Sequence, residues 1–395
     1  MKEKYDVVIA GAGPAGCVAA RLLAEQRMSV LLCEKREKVG FPVRCAELGG
    51  YADEMARFVR LDESVIVNRL NFCRAISPSG RAYERPVSRA PLMLDRERFD
   101  ARLFKEALEA GAEGMTGAEI ADADRGADGR IASIRVKAGR AATKVRCDFL
   151  VAADGVESQL GRMIGFTTTC PLENIYSCYQ YRVENYEGQG ATISFFVGNK
   201  VAPRGYVWVF PRGKGTANVG IGQVGSGSDN RLSPKAYLDR FMAGHLPKAR
   251  ITGAMAGGIP ADGGLKDFVG KNAVLIGDAA HHANPFSGGG IMNSMEDAEL
   301  FVRTLMQLIG EGKTDELWRY RRIHFRKYGW ILRLQRIARN SFYCLTDGEM
   351  ERLFSAIDKR VDREHFDYRA FLKAMALGYI GMVPHFLPHL GEIFG

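Results

Sequence analysis

Lys4-Tyr5-Asp6-Val7-Val8-Ile9-Ala10-Gly11-Ala12-Gly13-Pro14-Ala15-Gly16-Cys17-Val18-Ala19-Ala20 is the stretch on which the fold turns. Tyr5 to Ala10 is a short apolar run that reads as a fully buried strand, and the glycines end it. An amphipathic helix then runs to about Gln26, and Ser29 to Glu34 gives a second buried strand. Strand, glycine turn, helix and strand in that order form the βαβ opening of a dinucleotide-binding unit. Gly11 and Gly13 allow a tight turn and close backbone approach to a pyrophosphate, and Gly16 lets helix pack on strand. Pro14 and Ala15 begin a helix whose N-terminus faces the negative charge. Glu34, about twenty residues further on, is placed to accept hydrogen bonds from a ribose diol, and its charge disfavours a 2′-phosphate.

Working outward, the 395 residues predict two or three packed units at roughly 150 residues each. Hydrophobic residues at 46% and charged residues at 26% are the mix of a globular enzyme, which sets aside disorder, collagen and coiled coil. No apolar run is long enough for a membrane span. Lysine and arginine outnumber acids 55 to 46, a net charge of +9 that favours anionic partners. No zinc-finger spacing, helix-turn-helix signature or interleaved aromatic and basic strand points to nucleic acid. The 8 cysteines are scattered without a CxxC pair, so the expectation is a reduced, cytoplasmic protein with no metal site.

Along the chain, Asp95 reads as an N-cap for a helix whose face is marked by Phe99, Leu103 and Ala107 and which ends at Gly111. Three short strands and Phe149 to Ala153 follow, leading into Asp154-Gly155. Ile175 to Ile259 alternates β-branched and aromatic residues, which predicts an antiparallel second domain interrupted at Gly225-Ser226-Gly227-Ser228. Ala273 to Ile276 is another buried strand, Ser287 onward a glycine-led helix, and from Asp315 the chain is mostly helical and basic. The expected fold class is α/β (α+β): a Rossmann-like domain from residues 1–60, 92–170 and 265–312, an antiparallel-sheet domain from 61–91 and 171–264, and a helical C-terminal region, 313–395.

Leu94-Asp95-Arg96-Glu97-Arg98-Phe99-Asp100, Val151-Ala152-Ala153-Asp154-Gly155 and Leu275-Ile276-Gly277-Asp278-Ala279-Ala280 resemble, in that order, the flavoprotein hydroxylase superfamily that includes p-hydroxybenzoate hydroxylase. The resemblance implies FAD, with Arg96 by its pyrophosphate and Asp278 on its ribityl chain. Gly288-Gly289-Gly290-Ile291 would bring backbone N–H groups and a helix start to the flavin pyrimidine edge. Lys35, Arg44, Cys45, Ala46, Leu48, Ala121, Asp154, Gly155 and Pro285 complete the cofactor-side candidates. His281 and His282 are expected to line a loop or pocket.

Phe41-Pro42-Val43-Arg44-Cys45-Ala46-Glu47 and Gly205-Tyr206-Val207-Trp208-Val209-Phe210-Pro211 resemble motifs of the geranylgeranyl reductases. The family often has Cys-Gly-Glu-Gly where this chain has Cys45-Ala46-Glu47-Leu48, followed by Gly49 and Gly50. The implied activity is saturation of isoprenoid C=C bonds, on a prenyl lipid or prenyl diphosphate, by hydride from N5 of reduced flavin. The alternatives are a flavin monooxygenase or halogenase of the same superfamily, or a non-catalytic flavin electron-transfer protein. Tyr206, Trp208 and Phe210 alternate along one strand and so form an aromatic wall on one face, with Pro211 beside it. Cys45, Tyr206 and Trp208 are the catalytic candidates, Cys45 and Tyr206 as proton suppliers. Arg44 is placed to favour a Cys45 thiolate. One dinucleotide fingerprint leaves the electron donor as NAD(P)H or a ferredoxin-like carrier. The basic stretch containing Arg333 and Arg336 offers cations to an acidic carrier or a lipid phosphate. Phe371 to Leu390 is expected to close the core, with peripheral contact at the inner membrane face as the alternative.

Overall fold

The computed structural model describes residues 1–225 and 232–359. The opening motif folds as its sequence dictates. Strand Lys4–Ala10 pairs in parallel with Val30–Cys33 on one side and Ala141–Ala152 on the other. Val7, Val8 and Ile9 are fully buried, each contributing roughly 1.5–3 kcal/mol by leaving water. Glu113–Met115 extends the parallel part beyond Val30–Cys33, and Ala273–Leu275 joins Ala141–Ala152. Ile131–Ala138 and Ala118–Arg125 continue the sheet antiparallel from the other side. Helix Pro14–Glu25 packs between helices Arg96–Glu109 and Ile291–Gly310 and buries Val18, Ala19 and Leu23 against the sheet.

A second seven-stranded sheet carries the aromatic motif. Its order is Arg250–Pro260, Ile175–Glu184, Thr216–Val224, Gly205–Gly213, Thr192–Phe196, Phe72–Ile76 and Ala82–Pro86. It departs from the purely antiparallel expectation at one pairing. Thr192–Phe196 runs parallel to Phe72–Ile76, because that hairpin enters from an earlier excursion out of the first sheet. A small third sheet of Leu48–Tyr51, Pro91–Leu94 and Ile66–Arg69 stitches the two together. Helix Pro234–His245 covers the outer face of the second sheet.

Beyond Gly310, Trp318–His324 leads through a π-helical turn, Phe325–Gly329, into Trp330–Tyr343. Asp347–Asp358 follows, opened by a capping box between Thr346 and Glu349. Its Phe354 ring lies 5.4 Å from Tyr83, and Asp358 pairs with Arg85 of the same hairpin. No helix of the described residues is long and apolar enough to cross a membrane.

Two expectations change in detail. Ala141–Ala152 is one twelve-residue strand rather than a short piece before Phe149, because its exposed first half pairs only with the antiparallel flap. The late helix starts at Ile291, not Ser287. Ser226, Gly227, Ser228 and the stretch Phe371 to Leu390 lie outside the described residues.

Candidate functional site

The glycine turn opens onto a cleft of about 280 Å³ at the C-terminal ends of the parallel strands. Gly11 sits at φ +100°, and a Cβ there would lie 2.3 Å from the Ala153 carbonyl oxygen. A Cβ on Gly16 would lie 1.9 Å from the Gly11 oxygen, so helix and turn touch backbone to backbone. Gly11, Gly13, Glu34, Lys35, Arg96 and Asp278 all border the cleft. Glu34 is fixed by two backbone donors, Ala12 N–H at 2.8 Å and Arg36 N–H at 2.9 Å. Glu157 draws Lys35 (2.5 Å) and Arg44 (3.2 Å) together at the same cleft.

Asp154 and Asp278 each leave one buried carboxylate oxygen, Oδ1, without a partner. Burial pushes both carboxyls above their ordinary range; Arg96 and His281 oppose it at Asp278, backbone N–H groups at Asp154. Buried, unsatisfied acceptors facing a cleft await donors, and a flavin dinucleotide has them in its ribityl and ribose hydroxyls. The close-backbone turn, the Glu34 carboxylate and these two orphaned oxygens together fit FAD. Gly290 lies against Asp278, its would-be Cβ 3.0 Å from Oδ1, immediately before the N-terminus of helix Ile291–Gly310. That helix end has no side-chain cap, so its N–H groups and dipole favour negative charge.

Cys45 is half-buried on the cleft wall. Burial pushes its thiol up, and the main opposing charge is the Arg96 guanidinium. Arg44 does not supply the charge expected of it, because it is drawn to Glu157. The thiol therefore keeps its proton at neutral pH, which corrects the thiolate expectation.

The loop carrying Cys45 is held by Glu47, a hub that the sequence did not single out. Glu47 is 1% exposed and sits at φ +68°. Its Oε2 accepts from Arg212 Nη1, from Arg182 Nη2 at 2.6 Å and from Asn218 Nδ2 at 2.7 Å. Its Oε1 accepts the Arg96 N–H at 3.3 Å, and its own N–H donates to Cys45 Sγ at 3.2 Å. The one readable signal is an acid two residues after the cysteine, between apolar neighbours.

Behind this loop stands the aromatic wall. Tyr206 and Trp208 ring centroids are 5.9 Å apart and Trp208 and Phe210 are 6.2 Å apart, on one face as alternation predicts. Trp208 Nε1 donates to Gln180 Oε1 at 2.9 Å, and Gln180 Nε2 donates to the Cys45 carbonyl at 3.4 Å. The wall is packed rather than an open channel: Trp208 and Phe210 are 6% and 4% exposed. Gly220 on the adjacent strand makes room for Trp208, since a Cβ there would meet Cζ2 at 2.3 Å. Tyr206 is half-buried and donates to the Ser287 carbonyl at 2.5 Å, joining the wall to the glycine-rich loop.

Several candidates sit elsewhere. Ala121 is exposed on the opposite face of its strand, and its neighbour Ile120 borders the cleft. Ala46 and Leu48 pack behind Cys45 against the Trp208 cluster. Pro14, Ala15 and Gly16 form the helix start behind the turn, and Gly155 borders the cleft beside Asp154. Pro285, Gly288, Gly289 and Ile291 stand off the cleft, Pro285 accepting from Tyr176 Oη at 3.2 Å. Pro211 faces away from the wall by strand alternation. Arg333 stacks on Phe325 at 4.7 Å and Arg336 donates to the Asp262 carbonyl at 2.8 Å, both remote from the cleft. His281 and His282 lie in a loop, as expected, and His282 lines a small separate cavity; neither borders this cleft, and both are buried and hydrogen-bonded, to Asp262 and Asp297, each at 2.7 Å. Two of the basic-stretch cations are committed to surface pairs, Arg319 with Glu311 and Arg321 with Asp267.

Comparison with known proteins gives the family and the fold. Residues 174–259 match the family model for the geranylgeranyl reductase catalytic domain, and residues 9–62 match an NAD(P)-binding Rossmann-like domain. The chain is 34% identical over 95% of its length, and 92% of the relative's, to digeranylgeranylglycerophospholipid reductase 1 of Methanococcoides burtonii. It is 35% identical to the digeranylgeranylglycerophospholipid reductase of Methanoculleus marisnigri, covering 90% of this chain and 91% of the other. Among solved structures, a geranylgeranyl bacteriochlorophyll reductase-like protein from Thermoplasma acidophilum superposes with a TM-score of 0.91, at 28% identity over 99% of both chains. A flavin-dependent brominase matches at 0.72 and 17% identity, over 96% of this chain and 99% of its own, a likeness of fold alone.

Proposed function

The chain belongs to the geranylgeranyl reductase family, and from that premise we propose that it is an FAD-dependent reductase saturating C=C bonds in the geranylgeranyl chains of a prenylated lipid. The relatives' names point to a digeranylgeranyl glycerophospholipid as substrate. FAD, when bound and reduced, supplies the hydride. The protein's own residues supply the rest. An isolated trisubstituted alkene accepts hydride only as a proton reaches its less substituted carbon, which gives tertiary-cation character to the transition state. Cys45 holds a thiol proton on the cleft wall, kept there by burial. The Tyr206 hydroxyl donates to Ser287, which makes Cys45 the better-placed acid. Tyr206, the half-buried ring of the wall, offers an aromatic face to the developing charge, and the buried Trp208 and Phe210 behind it keep out the water that would trap it. Electrons enter from NAD(P)H or a small acidic carrier, for which the exposed Arg322, Arg326 and Lys327 offer a face.

The observation that supports this reading is the union of a cleft bordered by the glycine turn, Glu34 and Asp278 with Cys45 on its wall, tied through Gln180 to Trp208. The test is anaerobic. The FAD-loaded protein is reduced with dithionite and mixed with digeranylgeranylglyceryl phosphate or geranylgeranyl diphosphate, and the products are weighed by mass spectrometry. One dihydrogen gained per double bond is expected; prenyl chains returned at their original mass refute the proposal.

A further inference from the structure

We propose that a second cavity of about 390 Å³, walled by Asn174, Arg204, Arg336, Asn340 and Tyr343, is an anion site for the phosphate-bearing end of the prenyl substrate. The prenyl identity of the ligand rests on the reductase reading above, whereas the anion preference rests on the cavity itself.

The wall is built of donors. Among the described residues the Arg204 guanidinium makes no hydrogen bond or ion pair, and its Nε is buried without a partner. Its backbone is held at φ +54°, in the left-handed region that an arginine adopts only under constraint from its surroundings. Behind the cavity, the completely buried Arg339 fixes two of the walls. It donates to Asn174 Oδ1 at 2.7 Å, and to Asn340 Oδ1 from Nη2 at 2.7 Å and from Nε at 3.1 Å. Arg339 thus holds both amide oxygens on its own side, Asn340 Oδ1 by two bonds and Asn174 Oδ1 by one, which leaves the Nδ2 groups as the donors that Asn174 and Asn340 offer. Arg336, whose Nη1 donates to the Asp262 carbonyl, adds a second guanidinium to the wall. Glu173 is the acid among the lining residues and is exposed. Two guanidinium groups and two oriented amides, partly shielded from water, call for an anion with several acceptor oxygens. A phosphate has that form.

The position suits a lipid. Tyr343 lines the cavity and its hydroxyl is 2.8 Å from that of Tyr176. From there the rings step edge-on from Tyr343 to Tyr176 to Tyr206, and then at a tilt to Trp208, with centroid spacings of 6.4, 6.3 and 5.9 Å. Tyr176 and Trp208 are buried, so this file is solid core joining the cavity wall to the Cys45 loop, and a polar end held by Arg204 and Arg336 would leave its apolar chain against the partly exposed Tyr343 and Tyr206. The phosphate can belong to a glycerophospholipid headgroup or to a free prenyl diphosphate.

The test is calorimetric titration of the FAD-loaded full chain with geranylgeranyl diphosphate, digeranylgeranylglyceryl phosphate and geranylgeraniol. Arg204→Gln is expected to weaken both phosphorylated ligands roughly ten- to a hundredfold, the worth of a charge-assisted hydrogen bond. It should leave geranylgeraniol within about twofold, and Arg204→Lys should keep more of the affinity than Arg204→Gln. Equal weakening of all three ligands, or undiminished binding of the phosphorylated pair, overturns the site. Flavin absorbance checks that each variant is folded, and Arg336→Gln serves if Arg204→Gln loses its flavin. Parallel turnover separates the two proposals. Phosphorylated ligands that bind through Arg204 but emerge unreduced sink the reductase reading alone, whereas reduction of alcohol and phosphates with no dependence on Arg204 sinks the anion site alone. The phosphorylated ligand that binds more tightly identifies the source.

Discussion

Replacing Glu47 by Gln removes one negative charge from a place where three side chains depend on it. Arg212 is 9% exposed and Glu47 1%, so the guanidinium would be left buried with a neutral acceptor in place of its counterion. Arg182, at 37% exposed, can turn partly to water, and Asn218 loses only the ionic share of its bond. Breaking a buried ion pair from one side costs about 3–5 kcal/mol. Because glutamine still accepts a hydrogen bond, the lower end applies, about 3 kcal/mol. For a chain of this size that should lower the urea midpoint by up to about 1 M. The double variant Glu47→Gln with Arg212→Met removes both halves of the pair and should recover at least about 1 kcal/mol of the loss, because no buried charge then lacks its partner. Denaturant titrations of the wild type, both single variants and the double variant yield the coupling directly. Additive losses, with no recovery in the double variant, would refute the claim that Glu47 and Arg212 stabilise the Cys45 loop as a pair.

Three further outcomes are expected. Cys45, its thiol pushed up by burial, should react with iodoacetamide at neutral pH more slowly than the exposed Cys344; faster alkylation at Cys45, located by peptide mass mapping, would contradict its protonated state. Gly220→Ala should cost about 1–3 kcal/mol by overpacking and should shift tryptophan fluorescence as Trp208 is displaced; an unchanged spectrum and midpoint would show that the strand yields without strain. His324 is held down to about 3, by burial first and by His282 next, so the folded state favours its neutral form. That contribution is complete above the unfolded value near 6.5 and fades as pH falls from there toward 3. His324→Gln should flatten the loss of thermal stability over that acid range, and an identical pH profile would remove His324 as its source.

The parts of this molecule visible in its sequence are those whose cause is local. Tyr5 to Glu34 reads correctly because burial period, glycine turn and helix start fall within thirty residues. Asp95 does cap its helix, accepting from the Arg98 N–H at 3.1 Å, and Tyr206, Trp208 and Phe210 share a face because strand alternation alone decides it. What stayed hidden was assembled across distance. Arg182, Arg212 and Asn218 reach Glu47 from three strands whose register no local pattern specifies. Ala121 and Ile120 differ by one position, yet which of them meets the cleft depends on how the whole sheet is turned. Arg44 is the chain neighbour of Cys45, but Glu157 takes it, and Arg96 from another segment stands in its place. His281 and His282 gave no sign of their buried aspartate partners, which lie 19 and 15 residues away and come alongside only in the tertiary structure.

The helix at Asp347–Asp358 has a bearing on how the chain comes into being. Through Glu351 it accepts the N–H of Ser79, a link between positions 272 apart, and its Phe354 seals the ring of Tyr83. A polypeptide emerging from the ribosome must hold the hairpin of Phe72–Ile76 and Ala82–Pro86 bare until nearly all described residues have followed, since closing so long a loop comes late. Until then Tyr83 and Arg85 lack Phe354 and Asp358, the ring and the counterion that this helix brings them, so the last described helix completes one of the earlier hairpins.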